Sequence, residues 1–298
     1  MTGRRRDGLT SGMQMRSSAS WLSACLAAAA LAGLPTVAAA DDWDTCVKQS
    51  GDLAVAACTP DINSGRWRGR DHAISYNNRG VSYYQKGDLD RAIADYSEAI
   101  RLDPTYPPAY NNRGAALYQK GELDRAIADQ TEAIRLDPKY ANAYTNRGIA
   151  FKANGDLDRA IADYTEAIRL DPATIPGGRA VPYTGRGNAY FDKGDFDRDI
   201  ADQTEAIRLN PKYALPYNNR GNAHLQKGDL DHAIADFSAA IRLDPDYAQA
   251  YYNRAGAWEA KHDLQKALAD YDAAAKLDPW DPDAADAIER VKEALSGT

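Results

Sequence analysis

The chain has 298 residues, of which 44% are hydrophobic and 27% are charged, a composition that is ordinary for a soluble protein and supplies ample apolar surface for a core. Its formal net charge at pH 7 is −7. Nucleic-acid binding needs a basic face, so this charge argues against DNA or RNA as a partner.

Residues 1–40 are predicted to be a secretory signal peptide. Arg16 precedes an uncharged stretch with an apolar centre, which ends in the small-residue tripeptide Ala38-Ala39-Ala40, where we expect cleavage. An uncleaved anchor is the weaker alternative, because the apolar centre is short for a membrane span of about 20 residues. We therefore expect a periplasmic mature chain without a transmembrane anchor.

The start and the charge of the mature chain follow from this prediction. Met13 and Met15 are alternative first residues of the signal peptide. Cleavage after Ala40 leaves 32 basic and 42 acidic residues, which makes the mature chain more acidic than the full sequence. This additional negative charge strengthens the argument against DNA or RNA as a partner.

Residues 41–72 resemble a shortened copy of a block that recurs later in the chain. Aligning Ile62 with Ile100 places Cys58 at the position of Tyr96. Cys46 and Cys58 are the cysteines that remain after residue 40, and in an oxidising compartment we expect a disulfide that clips two short helices together, worth roughly 3 kcal/mol. Two unpaired core cysteines are the alternative.

A block of 34 residues recurs six times between residues 73 and 281. The copies are residues 73–106, 107–140, 141–174, 180–213, 214–247 and 248–281. In each copy apolar residues at helical spacing are followed by a turn, a capping acidic residue and a second apolar helix that proline closes. A fixed period of this length predicts an all-α array of stacked helical hairpins that share one core.

The block resembles the tetratricopeptide repeat (TPR). In the first copy the resemblance is carried by Tyr76, Gly80, Tyr83, Ala92, Tyr96, Ala99 and Pro104. It implies a right-handed superhelical solenoid whose first helices line a concave groove that binds a peptide or a partner protein. Residues 282–298 continue the array as an amphipathic helix, which we expect to act as a solubilising cap.

The candidate binding surface is this concave face. First-helix positions that avoid the core give the predicted peptide-binding residues Asn77, Tyr84, Asn111, Tyr118, Thr145, Lys152, Asn188, Phe191, Asn218, Asn222 and Tyr252. Exposed asparagines can hydrogen-bond an extended backbone, and aromatic side chains give rigid contact area. Solvated asparagines without a ligand are the alternative.

Two charged residue types recur once in each block. The arginines are Arg79, Arg113, Arg147, Arg186, Arg220 and Arg254, and we expect each to reach a carboxylate of its own or the next hairpin; a row of anion-binding groups is the alternative. The aspartates are Asp95, Asp129, Asp163, Asp202, Asp236 and Asp270. Each follows a basic residue by four positions, which predicts ion pairs on the helix surface.

No sequence motif indicates catalysis, a cofactor or a metal ion. The four histidines, His72, His224, His232 and His262, differ in their positions within the block, so we expect them not to converge. The sequence contains no nucleophile elbow, no phosphate-binding loop and no paired cysteine motif. We therefore predict a protein that is not an enzyme.

The array departs from its pattern at one place. Ile175–Arg179 interrupt the period, and Asp199 replaces a close-packed alanine in the next hairpin. We expect a looser joint there, with Asp199 paired to Arg186. The predicted function is an adaptor or scaffold of the bacterial cell envelope; the alternatives are a periplasmic assembly chaperone and a regulatory subunit of a separate enzyme.

Overall fold

In a computed structural model of the protein, the described residues are 45–46, 51–170, 180–280 and 282–297. All of them belong to one unit of the chain, Ala39–Thr298. The helices are α1 (Gly51–Asn63), α2 (Gly69–Gln85), α3 (Leu89–Leu102), α4 (Pro107–Gln119), α5 (Leu123–Leu136), α6 (Ala141–Ala153), α7 (Leu157–Leu170), α8 (Ala180–Asp192), α9 (Phe196–Leu209), α10 (Ala214–Gln226), α11 (Leu230–Leu243), α12 (Ala248–Ala260), α13 (Leu264–Leu277) and α14 (Pro282–Ser296).

The predicted all-α class is confirmed, and α2 to α13 form six helical hairpins in the predicted order. Successive first helices pack directly on one another, which places them on the inner side of the array. The predicted signal peptide and the insertion Ile175–Arg179 lie outside the described residues. In the part of the chain that the structure describes, no helix has both the length and the apolarity of a membrane span.

The turn within each hairpin is encoded locally. In the first hairpin, Gly87 has a φ of 76°, a left-handed conformation that glycine adopts without steric cost. Asp88 then caps α3, because its carboxylate accepts a hydrogen bond from the backbone N–H of Arg91 at 3.2 Å. The chain therefore ends one helix and begins the next within three residues.

The two helices of a hairpin approach closely at a glycine. In the third hairpin, a Cβ atom added at Gly148 of α6 would lie 2.9 Å from Cε1 of Tyr164 in α7. In the first hairpin the corresponding distance is 2.7 Å, between a Cβ at Gly80 and Cε1 of Tyr96. Real side-chain contacts are longer than these distances, so the glycine creates the space that the ring of the second helix fills.

The N-terminal segment packs against the first repeat. The sulfur atoms of Cys46 and Cys58 lie 2.11 Å apart, and both side chains are fully buried. Ile62 of α1 belongs to the same cluster, and Tyr76 of α2 packs against it. Helix α2 begins at Gly69, four residues before the predicted start of the block at residue 73.

The opposite end of the array is covered by α14. Ala287 and Val291 form a cluster with Ala267 and Tyr271 of α13. The remaining faces of α14 are polar and exposed, as at Glu289. This is the arrangement that a solenoid needs at its end, where no further repeat covers the last hairpin.

The described helices on the two sides of Ile175–Arg179, α7 and α8, are in direct contact. A Cβ atom added at Gly185 of α8 would lie 2.6 Å from Cζ of Tyr164 in α7. The ammonium of Lys193 lies 2.5 Å from Asp158, and the equivalent Lys120 lies 2.6 Å from Asp90 at an earlier joint. The looser joint that the insertion predicts stays a prediction, since residues 171–179 lie outside the described residues.

The close approach at the glycines generates a prediction. We expect Gly148→Ala to lower the free energy of unfolding by about 1 to 3 kcal/mol, because the added methyl overlaps Tyr164. Gly256→Ala in α12 is the matched control: its Cβ would meet its nearest neighbour at 3.8 Å. There we expect a gain of up to about 1 kcal/mol from helix propensity.

Urea unfolding followed by circular dichroism measures both changes. Equal destabilisation by the two substitutions would show that helix packing at Gly148 is not the constraint.

Candidate functional site

A bidentate ion pair joins the two helices of every hairpin. In the first hairpin, Nε and Nη2 of Arg79 each lie 2.8 Å from an oxygen of Asp95, whose side chain is nearly fully buried. The same pair recurs as Arg113 with Asp129, Arg147 with Asp163, Arg186 with Asp202, Arg220 with Asp236, and Arg254 with Asp270. The parallel geometry of these bonds makes them stronger than a single charged contact.

The same arginines also connect neighbouring hairpins. The remaining Nη1 of Arg113 donates to Oγ of Ser97 on the preceding second helix at 3.1 Å. Arg79 makes the equivalent bond to Thr59 of α1, at 3.3 Å. The expectation that each arginine reaches a carboxylate of its own hairpin is confirmed, and these guanidinium groups are already occupied by anions within the protein.

The predicted partners of the recurring aspartates are wrong. Arg91 pairs with the capping Asp88, three residues away, and not with Asp95. Asp95 faces α2 instead, because it lies on the buried side of α3. The constant separation of 16 residues between arginine and aspartate in all six copies is the sequence signal that would have revealed the true pairing.

This ion pair yields a second prediction. We expect Arg113→Met to destabilise the protein by about 3 kcal/mol, because it leaves the carboxylate of Asp129 buried without its partner. Arg101→Met is the matched control, since Arg101 pairs with Glu98 on the exposed surface of α3. Exposed pairs contribute about 0 to 1 kcal/mol.

Chemical denaturation of the two variants beside the unsubstituted chain gives the comparison. A cost for Arg113→Met no larger than that for Arg101→Met would contradict a structural role of the buried pair.

A second ladder runs along the first helices and involves predicted binding residues. Asn112 donates to Oδ1 of Asn77 at 2.9 Å, and Asn146 donates to Oδ1 of Asn111 at 2.9 Å. The bond to Asn218 is made in the same way by Asn253, at 3.0 Å. These bonds join successive hairpins through side-chain amides.

Asn77, Asn111 and Asn218 are therefore not exposed. Their exposed fractions are 5%, 6% and 3%. The direct packing of successive first helices covers them, and their amides are used within the protein. The prediction that these side chains are exposed is wrong, although they lie on the predicted helices.

Four other predicted residues make contacts of their own within the protein. The hydroxyl of Tyr84 accepts a hydrogen bond from Nε2 of Gln119 at 2.7 Å. Thr145 is partly buried and donates to the carbonyl of its own helix. Tyr252 packs edge-on against Tyr271, with ring centroids 5.2 Å apart. Phe191 makes a similar contact with Phe196, at 5.3 Å.

Five predicted residues meet in the middle of the array. One cavity of about 220 Å³ is lined by Lys152, Asn188, Phe191 and Asn222. A second cavity of about 270 Å³ is lined by Tyr118 and shares Lys152 and Asn188 with the first. We call these two adjoining cavities the central groove; it crosses the first helices α4, α6, α8 and α10.

The groove opens where the amide ladder changes. At the joint between α6 and α8, the ladder positions hold Thr145 and Gly185, neither of which has an amide side chain. At the next joint, Asn219 donates to Asn188 at 2.8 Å, while the hydroxyl of Thr184 bonds to its own helix. At the joint between α6 and α8 the amide-to-amide bond of the ladder is therefore missing among the described residues, and the ring of Tyr164 lies against Gly185 instead.

Asp199 lines the floor of the first cavity and is fully buried. Its Oδ1 accepts a hydrogen bond from Nε2 of Gln203 at 2.8 Å. The expected pair with Arg186 is wrong, because Nε and Nη2 of that guanidinium donate to Asp202 and Nη1 donates to Thr165. Among the described residues, Oδ2 of Asp199 has no hydrogen-bond partner.

Glycine makes room for this carboxylate. A Cβ atom at Gly187 would lie 2.7 Å from Oδ1 of Asp199 and 2.6 Å from Nε2 of Gln203. Burial removes the carboxylate from water and raises the pKa of Asp199 to about 6, with a smaller contribution from the negative charges of Asp202 and Asp192. The ionised side chain thus destabilises the fold at neutral pH.

The raised pKa gives a third prediction. The folded pKa of Asp199 exceeds the unfolded value of 3.8, so the folded protein gains stability from this group as the pH falls through about 6 toward 4. Asp199→Asn should therefore be more stable than the unsubstituted protein at pH 8, by up to about 3 kcal/mol, with the difference shrinking at pH 4.5. The exposed Asp124→Asn is the control.

Thermal and urea unfolding across this pH range measures the sign of the stability difference between Asp199→Asn and the unsubstituted protein. A variant that is less stable at pH 8 would show that the ionised carboxylate has a stabilising partner.

Two histidines converge, contrary to expectation. The rings of His224 and His232 are stacked with centroids 5.1 Å apart, and Nδ1 of His232 lies 2.7 Å from Oδ2 of Asp229. Their positions correspond to Tyr83 and Arg91 in the first repeat, where the guanidinium lies 4.5 Å from the ring centroid. Aligning the copies against this recurring contact would have predicted the pair.

The histidine pair is also the group that could hold a metal ion. Ligand atoms of His224, Asp229 and His232 lie within 4.8 Å of one another, and within the described ranges this is the one such group of three. Imidazole and carboxylate are ligands that zinc accepts. Burial lowers the pKa of His224, which favours the neutral ring.

Comparisons with known proteins support the fold. The family model described as TPR repeat matches residues 80–121, 116–155, 187–228 and 221–259, and the model described as Tetratricopeptide repeat matches residues 141–173. A search of curated proteins gave no significant match.

Several solved structures are similar to this chain. The structure of the APC/C hetero-tetramer Cut9-Hcn1 matches with a TM-score of 0.67 and 20% identity over 80% of this chain and 48% of that one. The structure of pilF of Pseudomonas aeruginosa matches with a TM-score of 0.65 and 15% identity, over 76% of this chain and 99% of that one. The structure of YrrB, a TPR protein with an unusual peptide-binding site, matches with a TM-score of 0.50 and 24% identity, over 65% of this chain and 97% of that one.

These levels of identity establish a shared fold, and the chain spans about half the length of the Cut9-Hcn1 chain. The family model, in contrast, matches half of the sequence and falls on the hairpins that the structure describes. The chain therefore belongs to the tetratricopeptide repeat family.

Proposed function

We propose that this protein is a non-enzymatic scaffold that binds an extended peptide segment of a partner protein in the central groove. One observation carries the proposal: the two adjoining cavities of this groove are lined by residues of four successive first helices, Tyr118, Lys152, Asn188, Phe191 and Asn222. Most other amides of this face are used between hairpins.

The groove has the chemistry that a peptide needs. Tyr118 is exposed and offers rigid contact area, while Asn222 offers a donor and an acceptor to a peptide backbone. Lys152 is held 2.7 Å from Asp192, so that its charge is balanced. YrrB has a peptide-binding site, and the shared repeat fold supports the transfer of this ligand class to the present chain.

We place the scaffold in the bacterial cell envelope. The predicted signal peptide supports export, and the buried sulfur pair of Cys46 and Cys58 suits an oxidising compartment. A periplasmic assembly chaperone or a regulatory subunit of a separate enzyme would use the same groove. The number of partners distinguishes these roles, since a chaperone contacts many clients and a scaffold few.

Export and disulfide formation give one testable prediction. We expect the native protein purified without reductant to begin at Asp41 and to have a mass two hydrogens below that of the reduced chain, because Cys46 and Cys58 are joined. Intact-mass spectrometry before and after reduction measures both. A native chain that retains residues 1–40, or that shows no mass change on reduction, would contradict the envelope location.

Site-specific photocrosslinking in cells tests the groove. A photoreactive phenylalanine analogue at Tyr118 or Asn222 should yield a crosslinked partner, because both positions line the central groove. The same analogue at Glu98 or Glu132, which lie on the outer second helices, is the control. We expect Phe191→Ala to reduce the crosslinks from Tyr118 while leaving helix content unchanged.

The partners are identified by mass spectrometry of the crosslinked bands. A few discrete bands support a scaffold, and a continuous series of clients supports a chaperone. Crosslinks from Glu98 and Glu132 with none from Tyr118 and Asn222 would exclude the groove as the binding surface.

A further inference from the structure

The fourth repeat carries a charge where the others carry a methyl group. The position of Asp199 is occupied by alanine in the other five repeats, at Ala92, Ala126, Ala160, Ala233 and Ala267, all of them buried. An alanine at this position fills the space between two helices. The aspartate instead brings a carboxylate to the wall of a cavity that opens to solvent.

The charge of this carboxylate is not balanced within the cavity. Lys152 pairs with Asp192 at 2.7 Å, and Arg186 pairs with Asp202 at 2.8 Å. Each nearby cation therefore has its own anion, and Asp199 remains as the extra negative charge. Its Oδ2 is fully buried and has no partner among the described residues.

An unsatisfied buried carboxylate oxygen costs free energy, which a complementary ligand would recover. The amides of Gln203 and Asn219 donate to other acceptors. Nε2 of Gln203 already donates to Oδ1 of Asp199 and to Asn188, and Asn219 also donates to Asn188. The group that fits Oδ2 is a donor that also carries positive charge.

We propose that Asp199 forms the floor of a subsite that takes a lysine or arginine side chain of the bound peptide. This inference rests on the proposed peptide-binding function and names the chemistry of one peptide position. The cation enters between Phe191 and Asn222, and its N–H group donates to Oδ2 of Asp199. Phe191 offers a ring face to the entering guanidinium or to an aliphatic stem.

The size of the cavity favours a side chain over a whole small molecule. Its volume of about 220 Å³ lies below the range of about 300 to 1,000 Å³ that is typical of small-molecule sites. A hard metal ion is also disfavoured, because calcium takes about six to eight oxygen ligands and the buried oxygen without a partner, Oδ2 of Asp199, supplies one. An anionic ligand would be repelled by the uncompensated negative charge of Asp199.

Binding should depend on pH in a defined direction. The charged groups around Asp199 are Lys152 of α6, Asp192 of α8 and Asp202 of α9, and Asp202 is paired with Arg186; α10 contributes the neutral Asn219 and Asn222. Burial raises the pKa of Asp199 to about 6 in the free protein. A cation favours the ionised carboxylate, so its affinity should be about tenfold higher at pH 8 than at pH 5.

Small cations test the subsite without knowledge of the partner. The probes are n-butylguanidinium and n-butylammonium, with neutral butyramide as control, added to the full chain at pH 8. The readout is the NMR signals of the side-chain amides of Asn188, Gln203 and Asn222. We expect saturable shifts with both cations, binding at least tenfold weaker in Asp199→Asn, and no saturation with butyramide.

Asp199→Asn keeps the shape of the side chain and removes a buried charge, so loss of binding cannot be ascribed to unfolding. The exposed Asp124→Asn is the matched control and should bind like the unsubstituted protein. The proposal would be overturned if cation binding survives Asp199→Asn. It would also be overturned if no probe gives saturable shifts, since only water would then occupy the cavity.

A peptide experiment separates this inference from the proposed function. A set of peptides is compared with versions in which each lysine and arginine is replaced by glutamine. Peptides that bind in a manner sensitive to Tyr118→Ala but indifferent to Asp199→Asn would leave the groove function standing and remove the subsite. Butylguanidinium binding without any peptide crosslinking at Tyr118 would leave the cation subsite standing and remove the groove as a peptide-binding surface.

Discussion

The buried ion pair between the first and second helix of each hairpin is the interaction on which the rest of the structure depends. It holds Arg79 against Asp95 in the first repeat and recurs at the same separation in all six. Because the third guanidinium nitrogen bonds to the preceding second helix, one side chain fixes both the geometry within a hairpin and the position of that hairpin on the preceding one. Removing water from such a pair costs free energy, so both the arginine and the aspartate need well-placed hydrogen-bond partners.

A regular array held in this way has little freedom to form a site except where its sequence departs from the pattern. The fourth repeat has a glycine in place of a ladder asparagine, Asn188 in place of an apolar residue in the earlier repeats, and Asp199 in place of alanine. Gly185 removes an amide bond between first helices, and Asn188 and Asp199 bring polar atoms to positions that are apolar in the earlier repeats. All three residues line the central groove.

The sequence was sufficient for the fold because its information is repeated. Helix lengths, turn residues and hairpin order were all predictable from six copies of one block. The burial of Asn77 and Asn111 was not predictable from helix periodicity alone, because it arises from contacts between successive hairpins. The same is true of Asp95 and of the histidine pair, whose partners lie on another helix. Tyr118, Lys152 and Asn188 were found from position alone, and their convergence into one groove required the structure.

The central claim is that the repeated residues hold the array together and the deviating residues of the fourth repeat form the binding site. The most direct test is a chain in which residues 180–213 are replaced by the sequence of residues 107–140, with photocrosslinking from Tyr118 as the readout. We predict an equally helical and at least equally stable protein that no longer crosslinks its partner. Undiminished crosslinking in that chain would contradict the account, since the groove residues of the fourth repeat would then be dispensable.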